Sequence, residues 1–433
     1  MTYRRLLIGP GSGKLGTDTF LWRSAGGESS FHSDLDPELG WLGDVPRPHR
    51  DLAAFATGVF LADRTVGRPK SWHRSIELEV PVYDVAGWDG LTDDLAETLE
   101  LLSSDNWQLT FTERPKPKKL GVGEHPEVDR VLLFSGGADS LCGAIRSLAR
   151  GERLLLVSHW DWAGHAGVQK VVAGRLAAKF PKQVVRREIR LSRRSTQIGG
   201  GTFGNEATRR TRSLLFLSLG LADASVVPVA PLWIAENGYA ALNPPLAGER
   251  RGALSTRTTH PLVLTRLQTA VRRLGGRAEF ENPFASMTKG EMFAEASTVL
   301  GKAEAEKILG VSHSCSHVRY ALGTGYPPAT QCGVCFGCLV RRAAFHAAGL
   351  KDKATYLHKS IAPAAQPHHL RATAESEIRT VRYAGSRGVT VADLLSVGLP
   401  GGVDIEDAVS VAQRGLAELE SVVEAEPDLK AVR

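Results

Sequence analysis

The chain has 433 residues, of which 42% are hydrophobic and 23% charged, and 53 basic residues against 47 acidic ones give a net charge of +6 and an isoelectric point near 9.1. This balance excludes the disordered and fibrous classes, and the length predicts two domains or one domain with large additions. The basic excess is local, at Arg186 to Arg194 and Arg209 to Arg212, which is short for a nucleic-acid arm and suits a smaller anion such as phosphate.

The opening MTYRRLLIGPGSGK has a three-residue apolar core, so neither a secretory signal nor an anchor is expected there. No later run approaches the roughly 20 apolar residues of a spanning helix. Its G-P-G-S-G-K-L reads as a turn, since a nucleotide-binding Walker loop needs Gly at Ile8 and Ser or Thr at Leu15. A strand at YRRLLI, a helix from Asp51 to Asp63, an alternating strand SIELEVPVYD, a helix LTDDLAETLELL and a strand NWQLTFTE follow. Together they predict a small α+β domain over 1–112. The Pro-, Lys- and Gly-rich stretch 113–130 carries no apolar period and reads as a linker.

From Val131 strands and helices alternate: VLLF, then a helix to Arg150; RLLLVSHW, then a helix to Phe180; QVVRREI, then a helix from Thr208 to Asp223. SVVPVAPL precedes a helix from Pro261 to Leu274, and AEFENP a helix from Lys289. This is the pattern of an α/β domain over 131–356, a parallel sheet with helices on both faces. Ligands in such sheets bind beyond the carboxyl ends of the strands. Residues 357–433 read as a helical appendage, with a helix from Ile405 to Glu424.

Between the first strand of that domain and its helix stand Ser135, Gly136, Gly137, Ala138, Asp139 and Ser140. Two glycines let the backbone approach an anion, and backbone N–H groups with the helix N-terminus hold phosphate, the serine hydroxyls adding donors. Asp139 cannot hold phosphate and is expected to meet a Mg²⁺ that accompanies the nucleotide.

Of the five cysteines, Cys315, Cys332, Cys335 and Cys338 crowd into one short region and Cys142 stands apart. An odd number clustered this way points to metal rather than disulfides, and to a cytoplasmic protein. Four thiolates close a tetrahedral shell, so a structural Zn²⁺ is expected; Fe–S centres use the same ligand set, and the spacing leaves both open.

The SGGADS segment resembles the PP-loop ATP pyrophosphatases, a Rossmann-like, adenine nucleotide alpha hydrolase-like fold that cleaves ATP between the α and β phosphates. The likeness sharpens over Val131 to Tyr356. Cys315-Ser316, C-G-V-C-F-G-C-L-V-R ending at Arg341 with Phe345 beyond, T-R-S-L-L-F-L-S with Arg212, and Lys289-Gly290-Glu291 follow in the order found in the 7-cyano-7-deazaguanine (preQ0) synthases. The family's Asp and Tyr-Pro-Asp-Cys-Arg substrate loop is absent. A longer polar stretch, E-N-G-Y-A-A-L-N-P-P-L-A-G-E-R-R-G-A-L-S-T-R-T-T-H-P, replaces it and resembles the preQ0-synthase-like proteins of the Qat anti-phage defence system.

The resemblance implies an AMP-forming ligase using ATP, Mg²⁺ and Zn²⁺, which adenylates the carboxylate of 7-carboxy-7-deazaguanine or a related deazapurine for attack by nitrogen. It gives Asp139, Arg212 and Lys289 catalytic roles and His159 a place at the nucleotide. Glu236, Asn237, Asn243, Arg251, Ser255, Thr256, Arg257 and His260 become the substrate candidates. No cysteine precedes Cys142, so no glutaminase with a cysteine nucleophile is fused there, and ammonia arrives free or an amine comes from a companion protein. Neither a membrane nor a nucleic acid is expected as direct partner. A nucleotide-binding scaffold without turnover and a tRNA-modifying PP-loop enzyme are the competing readings.

Overall fold

The computed structural model describes residues 1–8, 15–23, 28–70, 72–115, 122–198, 200–206, 208, 210–227, 231–246, 257–277, 279–316, 321, 325–327 and 330–427. In chain order the elements are β1 (Thr2–Ile8), β2 (Thr19–Trp22), β3 (Phe31–Ser33), α1 (Arg47–Thr65), β4 (Ser75–Val82), α2 (Val85–Asp89), α3 (Thr92–Ser103) and β5 (Asn106–Glu113). Then come β6 (Arg130–Leu133), α4 (Ala138–Ala149), β7 (Leu154–Trp160), α5 (Ala163–Lys179), β8 (Val184–Arg193), α6 (Arg212–Ser225), β9 (Leu232–Trp233) and α7 (Gly238–Leu242). The chain continues through α8 (Pro261–Arg273), β10 (Phe280–Glu281), α9 (Lys289–Leu300), α10 (Lys302–Leu309) and α11 (Phe336–Ala347), and ends on α12 (His368–Arg387), α13 (Val391–Val397) and α14 (Ile405–Ala425).

The α/β architecture is as the alternation of elements predicts. One sheet runs β10-β9-β6-β7-β8-β3 and is parallel except where β3 pairs antiparallel with β8. The other runs β2-β1-β4-β5, all parallel, so the segment expected as α+β is itself built on β-α-β crossovers. Period-two alternation sorts the central strands between two cores: Val131, Leu133, Leu155 and Val157 face one, Leu132, Phe134, Leu154 and Leu156 the other. The first core is continuous with the N-terminal sheet through Leu6, Phe55, Val59 and Ile76, and α1 packs on α6. The N-terminal segment therefore caps one face of the large sheet and lends it an edge strand.

The second core lies under α4, α5, α9 and α10. Gly143 on α4 is required there, since a Cβ would stand 2.5 Å from that of Ala235. The C-terminal helices have a core of their own, in which Val411, Leu416 and Leu419 of α14 pack with Tyr239 of α7 and Leu339 of α11. Among the described residues, no helix is long and apolar enough to cross a membrane.

Candidate active site

The Ser135–Ser140 loop follows β6. Gly136 has φ +80°, and a Cβ there would lie 3.2 Å from Gln169 Cγ, so only glycine fits without strain or displacement. Ser135 Oγ accepts from Gly137 N–H at 3.2 Å, and Ser140 Oγ donates to the Gly137 carbonyl at 3.0 Å, closing the loop on itself. Gln169 is buried on α5 and ties the loop to the end of β7, donating to the carbonyls of Ser135 at 3.4 Å and His159 at 3.1 Å. Helix α4 starts at Ala138 with no side-chain cap, leaving its first N–H groups open to a ligand.

Asp139, in the first turn of α4, meets side chains from two other strand ends. Lys289 Nζ, at the start of α9, lies 2.6 Å from Asp139 Oδ2. Asn237, after β9, donates to Asp139 Oδ1 through Nδ2 at 2.8 Å and through its backbone N–H at 3.2 Å. The same Nδ2 also reaches Glu236 Oε1 at 3.3 Å, and Asn282 clamps the Glu236 backbone by accepting from its N–H and donating to its carbonyl. Two carboxylates thus share one lysine. Burial, reinforced by the charge of Asp139, pushes Glu236 up to about 8 against the opposing pull of Lys289. Burial alone would lower Lys289, but Asp139 and Glu236 more than offset it and its pKa is raised.

Beside this cluster opens a cavity of about 250 Å³, with Ser135, Ser140, Arg212, Glu236 and Thr259 on its polar side and Phe216, Leu217 and Ile234 on its apolar side. Arg212 begins α6 and donates to the His159 carbonyl at 3.2 Å, which holds its head at the end of β7. The lining therefore offers hydroxyls, one guanidinium and one carboxyl, with an apolar wall for a planar group. A larger hollow of about 790 Å³ on α12, lined by Arg371, Arg379, Arg382 and Tyr383, includes none of these residues.

The structure brings together Ser135 to Ser140, Arg212, Glu236, Asn237 and Lys289. It places the His159 side chain elsewhere: the imidazole is fully buried, stacks edge-on to Phe60 at 6.0 Å and donates from Nε2 to the Leu191 carbonyl at 3.0 Å. Burial, then the charge of Arg212, lowers it to about 3, and only its carbonyl serves the site. His260 is the N-cap of α8, accepting from Leu262 N–H at 3.2 Å, and Asn243 ends α7 in the left-handed conformation at φ 46°. Both positions are helix ends. Arg257 is half-buried just before α8, and burial lowers its pKa. Arg251, Ser255 and Thr256 lie outside the described residues. Sequence reasoning missed Gln169 and Asn282, lone polar residues with no motif around them, and passed over Thr259 between the candidates Arg257 and His260.

Cys315, Cys332, Cys335 and Cys338 are all buried, and their Sγ atoms lie within 4.8 Å of one another. Backbone N–H groups of Cys332, Gly333 and Cys335 each donate to a cysteine sulfur at 3.4 Å, an arrangement that stabilises thiolates. Gly333 has φ +92°, and a Cβ on Gly337 would strike the Ser314 carbonyl, so both turns need glycine. The donor set fits a structural Zn²⁺, with all four positions filled by protein. Two residues before Cys315, His313 N–H donates to the Gly136 carbonyl at 3.2 Å, joining this centre to the phosphate loop.

No protein-family model matches the chain. A 7-cyano-7-deazaguanine synthase of Novosphingobium aromaticivorans is 28% identical over 245 residues, which is 93% of that protein and 52% of this chain. One from Syntrophobacter fumaroxidans is 26% identical over 264 residues, 99% of that protein and 54% of this chain. Half of the chain is similar to 7-cyano-7-deazaguanine synthases. The other half, close to 200 residues on the scale of a whole domain, has no counterpart in those alignments.

Proposed function

We propose that the chain is an AMP-forming, ATP-dependent enzyme of the 7-cyano-7-deazaguanine synthase type, activating a deazapurine carboxylate for attack by nitrogen. The observation that carries this reading is the buried Asp139–Lys289 pair set against the Ser135–Ser140 loop, beside a cavity that bears Arg212. Similarity to two synthases over nearly their full length supports it.

In this reading the loop N–H groups and hydroxyls hold the ATP phosphates, and the carboxylate oxygen attacks the α-phosphorus as pyrophosphate leaves. Lys289 and Arg212 balance the negative charge that builds there, which in a water-poor site is usually the largest single contribution to rate. Asp139 would hold Mg²⁺, whose part is to neutralise the phosphates. The acyl-adenylate exchanges a hydroxide-like leaving group for AMP, and an amine attacks the acyl carbon to give the amide. The nucleophile is ammonia or the amine of a companion protein in a defence operon, and the chain acts in the cytoplasm.

The test is mass spectrometry of the purified chain with ATP, Mg²⁺, 7-carboxy-7-deazaguanine and ammonia, following AMP beside new product masses. AMP with an amide, a nitrile or a modified companion protein is the expected result. ATP that stays bound without any AMP, whatever amine is added, would replace this reading by a nucleotide-binding scaffold.

A further inference from the structure

Two helices that open onto the site begin on a cation, α6 on Arg212 and α9 on Lys289. At each start lies a carboxylate from outside residues 131–356. Asp63, on the last turn of α1, is wholly buried; its Oδ2 accepts from the Thr211 N–H at 3.2 Å and from the Thr211 hydroxyl at 2.9 Å. Thr211 is the N-cap of α6 and makes no cap bond with its own side chain. Asp63 is itself fixed by Arg74, at 2.5 Å, and Arg74 by Asp105, at 2.6 Å, while Arg68 grips both oxygens of Asp105. All four of these side chains are nearly inaccessible to water.

The second helix is held in a parallel way from the other end of the chain. Glu418 of α14 accepts from the Thr288 hydroxyl and, at 3.1 Å, from the Gly290 N–H, on either side of Lys289. Arg414, one turn earlier on α14, pairs with Glu291 at 2.7 Å and donates to the Ser286 carbonyl at 2.8 Å. A helix start carries unsatisfied N–H groups and the positive end of the dipole, so a carboxylate is stabilised there and fixes the position of the first turn. The first side chain of that turn then points in one direction.

We infer that Asp63 and Glu418 are positioning residues: they fix the starts of α6 and α9 and so the reach of Arg212 and Lys289, making both chain ends working parts of the site. The inference rests on the proposed function, in which these two cations meet the phosphates of ATP. A misplacement of about 1 Å is enough to lose much of an electrostatic contact, so the effect is read at the nucleotide.

The experiment is a double-mutant cycle on the full chain, read as MgATP affinity by calorimetry. Asp63→Asn is expected to weaken MgATP binding about tenfold in the native background and less than about twofold when Arg212 is already Ala. Glu418→Gln is expected to behave likewise against Lys289→Ala. A purely structural role predicts equal losses in both backgrounds, and that result, or native affinity in Asp63→Asn, overturns the inference. Should Asp63→Asn fail to fold, Thr211→Val carries the test, since it removes one hydroxyl and leaves the Asp63–Arg74 pair intact. A native chain that binds no MgATP sinks the proposed function itself, whereas binding with an additive cycle sinks the positioning role alone.

Discussion

The cluster around Asp139 and the cluster of four cysteines are joined through the hydrogen bond from His313 to Gly136, yet they are finished in opposite ways. The cysteine sulfurs are shut in by Val334, Leu370 and Ala374, take backbone N–H groups as donors and gather within 4.8 Å of one another. Asp139 and Glu236 share a lysine, and Glu236 borders a cavity that also bears Ser135, Ser140 and Arg212. A closed donor set supports the fold, while a cluster of perturbed ionisable groups that opens on a cavity is the usual form of a ligand site. The comparison implies that damage to the first region is read as stability, and damage to the second as activity.

The largest effect is expected at the cysteines. Cys332→Ser should bring zinc from one per chain to nearly none by metal analysis and lower the thermal midpoint by at least about 10 °C, because a structural zinc site is worth on the order of 10 kcal/mol. Activity would fall with it, since the loop bearing His313 loses its anchor. A variant that sheds the metal yet melts with the native protein would break the comparison.

Asp139→Asn should do the reverse. The amide still accepts a hydrogen bond from Asn237, and Lys289 keeps Glu236 as counter-charge, so zinc content and melting are expected to stay near native. AMP formation should drop by about 10³, the usual cost of removing one group that organises transition-state charge. A loss of zinc in this variant would show that the two clusters are one cooperative unit.

How much of this was legible in the sequence depends on how local each cause is. The Ser135–Ser140 loop and the cysteine cluster are contiguous motifs whose glycines are demanded by the turns themselves, so the local shape of both was legible in SGGADS and CGVCFGC. The strands β6 and β7 and the helices α4 and α5 follow from apolar runs. Within residues 357–433, read as a helical appendage, only the helix from Ile405 is placed by the sequence; the 20-residue α12 is not, because its polar outer face dilutes the period that buries Leu370, Ile378 and Val381. The N-terminal sheet was expected as α+β because strand order is set by packing against α1, which no local pattern encodes. His159, His260 and Asn243 show what such motifs leave unread: a polar residue at a strand or helix end is as readily engaged by the backbone as by a ligand.

The smallest effect sharpens the comparison through protons. Burial and then the charge of Asp139 push Glu236 up from the ordinary 4.5 to about 8, so at pH 7 the ligand-free chain holds a proton that the unfolded chain does not. The folded state binds the extra proton, so this group favours folding at low pH and that contribution is lost as pH rises from about 4.5 through 8. A Mg²⁺ held by Asp139 would neutralise the charge that raises Glu236, so binding in that pose favours the ionised form and expels the proton. MgATP affinity should therefore rise with pH up to about 8, by less than about tenfold per pH unit, and calorimetry at pH 7 in buffers of different ionisation enthalpy should register proton release. Glu236→Gln should flatten the pH profile and abolish the buffer dependence while the zinc content stays unchanged. A native chain whose affinity is level between pH 6 and 8 would mean that the Asp139 cluster is as closed as the cysteine one, with Lys289 already satisfying both carboxylates.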